Sequence, residues 1–205
     1  SSGTLIYNHF SLSAYRLLKQ SRRDINSKWG QAIYLNSYTT PFGGNFVGTQ
    51  FSFYGVAFFP GFFKHHSLWG YWCYKYTSLP SIAQTRNNYT FRNEIPLARG
   101  VGISRFQEFY SMSANYTLPI WYPDLAFGPL VNVQRIRFNA FIDYGYGLGR
   151  FGQNASQVYT STGFEVKLDL NVMRLLPQFD VGFRYSVGIK QSTSLFEVLI
   201  GTFNF

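Results

Sequence analysis

The chain has 205 residues, of which 46% are apolar, 20% are aromatic and only 13% are charged, and its formal net charge is +9. A soluble domain usually carries about 25% charged residues, while 22 Phe, 16 Tyr and 4 Trp exclude a disordered chain. A single Cys excludes a disulfide within the chain, and three His argue against a metal site. We therefore expect no cofactor and no metal ion.

Apolar and polar residues alternate along most of the chain, and this period of two indicates β-strands. Each predicted strand has about 10–15 residues, which suits a strand that crosses a membrane better than a strand of a soluble domain. In chain order the nine predicted strands cover about 4–16, 28–40, 45–60, 66–79, 105–118, 131–145, 157–172, 179–190 and 195–205. The only helix candidate is the short basic segment 15–23.

The alternation gives each strand one apolar and one polar face. It is strict from Phe179 to Lys190, and it breaks at Phe141, an apolar residue at a position of the polar face. Aromatic residues near strand ends resemble the girdles of membrane barrels, so we expect the apolar face to meet lipid and the charged face to line a lumen. The aromatic residues assigned to the apolar face are Trp69, Trp72, Tyr116, Trp121, Tyr122, Tyr144 and Tyr146, and Leu199, Phe203 and Phe205 share a face of the last strand.

The sequence therefore predicts an all-β protein whose strands form a transmembrane antiparallel β-barrel in the bacterial outer membrane. Lipid and lipopolysaccharide are the expected partners, and we expect a long extracellular loop at about 80–104. A soluble sandwich or a lipocalin-like protein, with its aromatic residues inside, is the alternative. An odd number of strands cannot close a barrel with both termini in the periplasm. Residues 1–205 are therefore expected to be the C-terminal part of a larger barrel, and a complete barrel of 8 or 10 strands is the alternative.

Two further segments carry candidate signals. The run Gly145-Tyr146-Gly147-Leu148-Gly149 follows a predicted strand without a helix after it, so it is predicted to be an extracellular loop and not a phosphate cradle. A basic cluster could contact the phosphate of a lipid or of lipopolysaccharide, or it could be a solvated loop; nucleic acid is not an expected partner. The cluster consists of Arg16, Lys19, Arg22, Arg23 and Lys28.

The second half of the chain resembles a known family. Ile95-Pro96-Leu97-Ala98-Arg99-Gly100-Val101 resembles the Arg-Gly motif in the sixth extracellular loop of the surface-antigen barrels, the BamA/TamA-like superfamily. Five predicted strands follow it, as in that family. Asn115-Tyr116-Thr117-Leu118-Pro119-Ile120 resembles the family's Glu-Tyr-Arg-x-Pro strand, and Phe138-Asn139-Ala140-Phe141-Ile142-Asp143-Tyr144-Gly145 resembles its Phe-x-Asp-x-Gly strand. Val101 stands where the family usually has an aromatic residue.

The resemblance implies that the loop folds back into the lumen of a barrel of the 16-strand type. Arg99 would then pair with an acid of the inner wall, and Gly100 would permit a tight turn. Asp143 is the first choice for the acid because its parity places it on the polar face, and Glu165 and Asp169 are the alternatives. The implied function is insertion or translocation of outer-membrane proteins, or a structural part of an envelope complex that includes other envelope proteins.

The last residues resemble an assembly signal. The chain ends Phe203-Asn204-Phe205, and a terminal Phe after alternating apolar residues is typical of barrels delivered to the barrel-assembly machinery, which is therefore an expected partner. A passive membrane anchor or small channel that carries another domain is an alternative function, and an outer-membrane enzyme is a third. We expect no enzymatic activity, because the nucleophile motif Gly-x-Ser-x-Gly does not occur.

Overall fold

The computed structural model describes residues 6–18, 21, 23–42, 48–78, 91–102, 106–128, 130–150, 153–172 and 179–202. These residues form ten β-strands and no helix. The strands are β1 (Asn8–Leu17), β2 (Gly30–Thr39), β3 (Thr49–Pro60), β4 (Ser67–Ser78), β5 (Glu108–Trp121), β6 (Leu125–Phe127), β7 (Val131–Arg150), β8 (Gln153–Val172), β9 (Phe179–Gly188) and β10 (Thr193–Thr202). The described part of the chain holds no helix that is long and apolar enough to span a membrane.

The ten strands belong to one antiparallel sheet in which each long strand pairs with the next along the chain. The three-residue β6 pairs with the start of β7. The long strand β5 hydrogen-bonds directly to the rest of β7. Within the described residues β1 and β10 are the two edges of the sheet and do not pair with each other. The sheet is therefore open and is not closed into a barrel.

The nine long strands lie within a few residues of their predicted positions, which confirms the all-β antiparallel prediction. Two local predictions are wrong. The glycine-rich run 145–149 is not a loop but the end of β7, where Gly145 and Gly147 leave room for the rings of Phe109 and Phe106. The helix candidate 15–23 begins with the last three residues of β1. The remaining described residues of this segment, 18, 21 and 23, are not helical.

The two faces of the sheet differ in polarity and in exposure. The inner face carries the buried residues Asp143, Asn115, Glu165 and Asp169, so charge lies on the protected side. The outer face carries exposed large apolar side chains on eight of the nine long strands. Examples, one from each of these strands, are Phe10, Ile33, Phe51, Trp72, Met112, Ile142, Phe183 and Ile200. This distribution is the reverse of the usual burial in a soluble domain.

Trp69 and Leu199 lie on the inner face, and for Trp69 this is the opposite of the predicted face. Trp69 points to the inner face, where its indole N–H donates to Thr117 Oγ1 at 3.1 Å and its ring stacks on Phe58. Leu199 pairs with Gly182 of β9, on the same face as Glu197. In β4 large aromatic residues occupy both faces, so alternation of polarity could not decide which tryptophan points inward.

The inner face is covered by chain segments as well as by side chains. Residues 91–102, between β4 and β5, lie against it, and Ile95 and Ala98 are buried among Tyr71, Phe109 and Tyr159. At one end of the sheet Ile25 of the β1–β2 turn is only 1% exposed. The segment 91–102 is the element that brings Arg99 to the wall of the sheet.

Candidate functional site

Arg99 forms a fork of hydrogen bonds with Asp143 of β7. Its backbone N–H and its Nε donate to Asp143 Oδ2 at 3.0 and 2.8 Å, and its Nη2 donates to Asp143 Oδ1 at 2.7 Å. The Asp143 side chain is 0% exposed and that of Arg99 is 12% exposed. Such a bidentate contact fixes both the position and the orientation of the guanidinium.

The remaining donors and the faces of the guanidinium also have partners. Nη1 of Arg99 donates to Glu165 Oε1 at 3.2 Å, and Nη2 contacts Asn115 Oδ1 at 2.8 Å. The ring centroid of Phe141 lies 3.5 Å from the Arg99 Cζ, which is a cation–π contact. Burial lowers the pKa of Arg99, but the hydrogen bond and charge of Asp143 and the charge of Glu165 outweigh it, so this pKa lies above its ordinary value.

Gly100 permits the backbone conformation that follows Arg99. Its φ is +74°, in the left-handed region that L side chains rarely adopt. A Cβ atom at this position would also collide with the side chain of Ser186. The carbonyl oxygen of Gly100 accepts a hydrogen bond from Thr193 Oγ1 at 3.3 Å, so the turn is joined to β10.

Arg99 and Asp143 belong to a larger set of ion pairs on the inner face, which we call the inner charge network. Arg137 Nη2 donates to Asp180 Oδ2 at 2.7 Å, and Arg184 Nε donates to Glu165 Oε1 at 2.7 Å. The five basic members are Arg99, Arg135, Arg137, Lys167 and Arg184, and the five acidic members are Asp143, Glu165, Asp169, Asp180 and Glu197. The network is therefore balanced in formal charge.

A second cluster joins three turns at one end of the sheet. Asp24 Oδ1 lies 2.8 Å from His65 Nδ1, and the Ser21 backbone N–H donates to Asp24 Oδ2 at 3.0 Å. Tyr122, which follows β5, donates from its hydroxyl to the Arg23 carbonyl at 2.8 Å. Burial raises the pKa of Asp24, but the hydrogen bonds from His65 and Ser21 and the charge of Lys28 hold it below its ordinary value of 3.8.

The structure brings together Arg99, Asp143 and one of the two alternative acids. Glu165 is a further partner of Arg99, whereas Asp169 contacts Arg135 and Arg137. Phe203 and Phe205 lie outside the described residues. Sequence reasoning missed the contribution of Phe141, although its break in the alternation was the available signal for an aromatic ring beside a cation.

Only part of the predicted basic cluster falls within the described residues. Arg16, Arg23 and Lys28 are all exposed there, and Lys19 and Arg22 lie outside that part of the chain. The described residues also contain no group of three or more His, Cys, Asp or Glu that could hold a metal ion.

Comparison with protein-family models, with curated proteins and with solved structures found no match. The resemblance to the surface-antigen barrels thus depends on the motifs themselves, and it stays a prediction.

Proposed function

We propose that this chain forms part of the wall of an outer-membrane β-barrel of the surface-antigen kind. The observation that carries the proposal is the reversed polarity of the sheet, with exposed apolar side chains outside and the inner charge network inside. Val198 and Ile200 are 70% and 79% exposed, whereas Asp143 and Asp169 are 0% exposed. Soluble monomers rarely expose apolar patches larger than a few hundred Å², and contact with lipid tails removes the cost of such a surface.

The dimensions of the strands agree with this proposal. The nine long strands have between 10 and 20 residues, and a tilted strand needs about 9–11 residues to cross a bilayer. Because the two edges β1 and β10 are unpaired in the described residues, closure of a barrel requires further strands. The proposal therefore includes additional strands that pair with these edges.

The Arg99 contact supports a role in insertion or translocation of outer-membrane proteins, or in an envelope complex. In the surface-antigen family a loop with this motif folds against the inner wall, and here Arg99 joins such a loop to β7. The loop would hold β5, β7 and β8 in one arrangement through Asn115, Asp143 and Glu165. Its partners in this role would be the barrel-assembly machinery and outer-membrane lipid.

A passive membrane anchor is the second candidate. The segment 91–102 and the inner charge network occupy the inner face, and the polar cavity beside Arg99 has a volume of only about 220 Å³. This filling favours an anchor over an open channel. Depletion of the protein separates the two roles: an insertion factor is expected to lower the levels of other outer-membrane proteins, whereas loss of an anchor leaves them unchanged.

Cysteine labelling in isolated outer membranes tests the membrane proposal itself. Ile142→Cys lies in the middle of β7 on the outer face, and Lys64→Cys lies in the exposed β3–β4 turn. We expect Ile142→Cys to react with a lipid-soluble maleimide and to resist a water-soluble one, whereas Lys64→Cys reacts with the water-soluble reagent. The native Cys73 is buried, so labelling of the unsubstituted protein gives the background reaction. Equal reaction of both variants with the water-soluble reagent would contradict the proposal.

A further inference from the structure

A long apolar groove crosses the outer face of the sheet. Its floor is a row of small residues on three neighbouring strands, in which Ala57 pairs with Gly70 and Gly70 pairs with Ala114. The groove has a volume of about 1110 Å³, slightly more than the roughly 300–1,000 Å³ that is usual for small-molecule sites. Three large side chains line one side of the groove, namely Trp72, Met112 and Tyr144. Trp29 and Phe59 line the other side.

The groove begins beside a cation at one end of the sheet. Arg16 of β1 and Gln31 of β2 are paired, and they continue the row of Ala57, Gly70 and Ala114 to the edge of the sheet. Arg16 is exposed and forms no ion pair within the described part of the chain. Trp29, which is 55% exposed, lies at the same end. Arginine and tryptophan side by side are typical of the level of lipid headgroups.

The far end of the groove lies at mid-strand. Arg16 is the next-to-last residue of β1, whereas Ile142, which ends the row, lies near the middle of β7. The row from Arg16 to Ile142 takes five steps between neighbouring strands, about 24 Å at ~4.8 Å per step. With strands tilted by about 40°, this row descends roughly 15 Å, half of the hydrocarbon thickness of ~30 Å. The groove thus runs from the headgroup level to the midplane.

We propose that this groove binds one acyl chain of an anionic phospholipid whose phosphate contacts Arg16. The inference rests on the proposed membrane location. β4 ends and β5 begins at the opposite end of the sheet from Arg16, so the long connection between them starts and finishes there, and long connections of outer-membrane barrels are extracellular. The Arg16 end then faces the periplasm, where the leaflet consists of phospholipid. The exposed Arg23 and Lys28 in the adjoining turn add positive charge for an anionic headgroup.

Native mass spectrometry of the protein folded in detergent, with added phosphatidylglycerol, tests this inference. We expect the intact protein to retain one phosphatidylglycerol and to retain phosphatidylethanolamine more weakly. Arg16→Gln removes the charge, and we expect it to weaken phosphatidylglycerol binding about fivefold. Lys64→Gln removes a charge from an exposed turn at the same end of the sheet and is the matched control, for which we expect no change.

Filling the floor of the groove tests the site of the acyl chain. Ala114→Leu and, independently, Ala57→Leu are expected to abolish lipid retention, because the new side chain fills the space between the two sides of the groove. Ala140→Leu makes the same change on the outer face of β7 beside the groove, between Tyr116 and Phe164, and is expected to retain the lipid. Each variant is first shown to fold by its heat-modifiable mobility in gel electrophoresis.

Three results would overturn the inference: equal retention of the two lipids, equal weakening by Arg16→Gln and Lys64→Gln, or full retention by the folded leucine variants. Failure of the membrane proposal is distinguishable from these results. It appears as free access of water-soluble maleimide to Ile142→Cys, whereas protection of that cysteine without a retained lipid contradicts the groove inference alone.

Discussion

Replacing Arg99 with alanine is expected to destabilise the folded sheet strongly. The substitution removes both arms of the fork to Asp143, the bond to Glu165 and the contact with the Phe141 ring. The main cost arises from Asp143, whose side chain is 0% exposed and would keep only the hydrogen bonds from Ser113 Oγ at 2.6 Å and from the backbone N–H of residue 99 at 3.0 Å, neither of which carries a positive charge. Removing one partner of a buried ion pair usually costs 3–5 kcal/mol, because the other charge stays buried and unpaired.

The adjoining polar cavity limits the size of this effect. Once the Arg99 side chain is removed, water from the cavity of about 220 Å³ that Arg99 lines can solvate part of the unpaired Asp143 carboxylate. We therefore expect Arg99→Ala to lower the free energy of unfolding by about 3 kcal/mol, the lower end of that range. Arg99→Lys keeps the charge but cannot form the fork, so we expect a loss of about 1.5 kcal/mol.

Urea unfolding in lipid vesicles, followed by tryptophan fluorescence, measures these changes. Arg92→Ala is the matched control from the same loop, because the Arg92 side chain is 85% exposed and lies 4.0 Å from Glu94. An exposed pair of this kind contributes about 0.5 kcal/mol or less. The double variant Arg99→Ala with Asp143→Asn is expected to be no less stable than Arg99→Ala alone, because it removes the unpaired charge.

Two results would refute this reasoning. A loss for Arg99→Ala no larger than that for Arg92→Ala would show that the buried fork contributes little. A double variant whose loss equals the sum of the two single losses would show that Arg99 and Asp143 are energetically independent.

Three further predictions concern the loop turn, the turn cluster and the C-terminus. Gly100→Ala is expected to cost about 2 kcal/mol of unfolding free energy, because φ is +74° at this residue; Gly102→Ala, with no atom within 4 Å of the new Cβ, is its control. The lowered pKa of Asp24 means that its stabilising effect is complete above its ordinary value of 3.8 and is lost as the pH falls below it. The free energy of unfolding, measured from above pH 3.8 to below it, should therefore depend less on pH in Asp24→Asn than in the unsubstituted protein. The same pH dependence in both proteins would contradict a stabilising role of the Asp24 carboxylate. Deletion of Phe205 is expected to lower the amount of protein in the outer membrane without changing its synthesis, and equal membrane levels would remove the assembly-signal interpretation.

Strand positions and face polarity could be predicted from the sequence because both depend on local chain geometry. Successive side chains of a strand point to opposite faces, so alternation such as that of 179–190 identifies a strand without knowledge of its neighbours. The same parity placed Asp143 on the polar face. Its pairing with Arg99 was a prediction from the family resemblance, and parity alone could not choose among Asp143, Glu165 and Asp169.

The tertiary structure decided everything that depends on pairing between distant segments. The fold of segment 91–102 determines that Arg99 meets Asp143 and Glu165, while Arg135 and Arg137 take Asp169. The rings of Phe109 and Phe106 fill the space above Gly145 and Gly147, so a glycine-rich run that locally suggests a loop continues as a strand. The groove exists only because three small residues from three strands come into register. Register is set by long-range hydrogen bonding and side-chain packing, so the local pattern of one strand does not contain it.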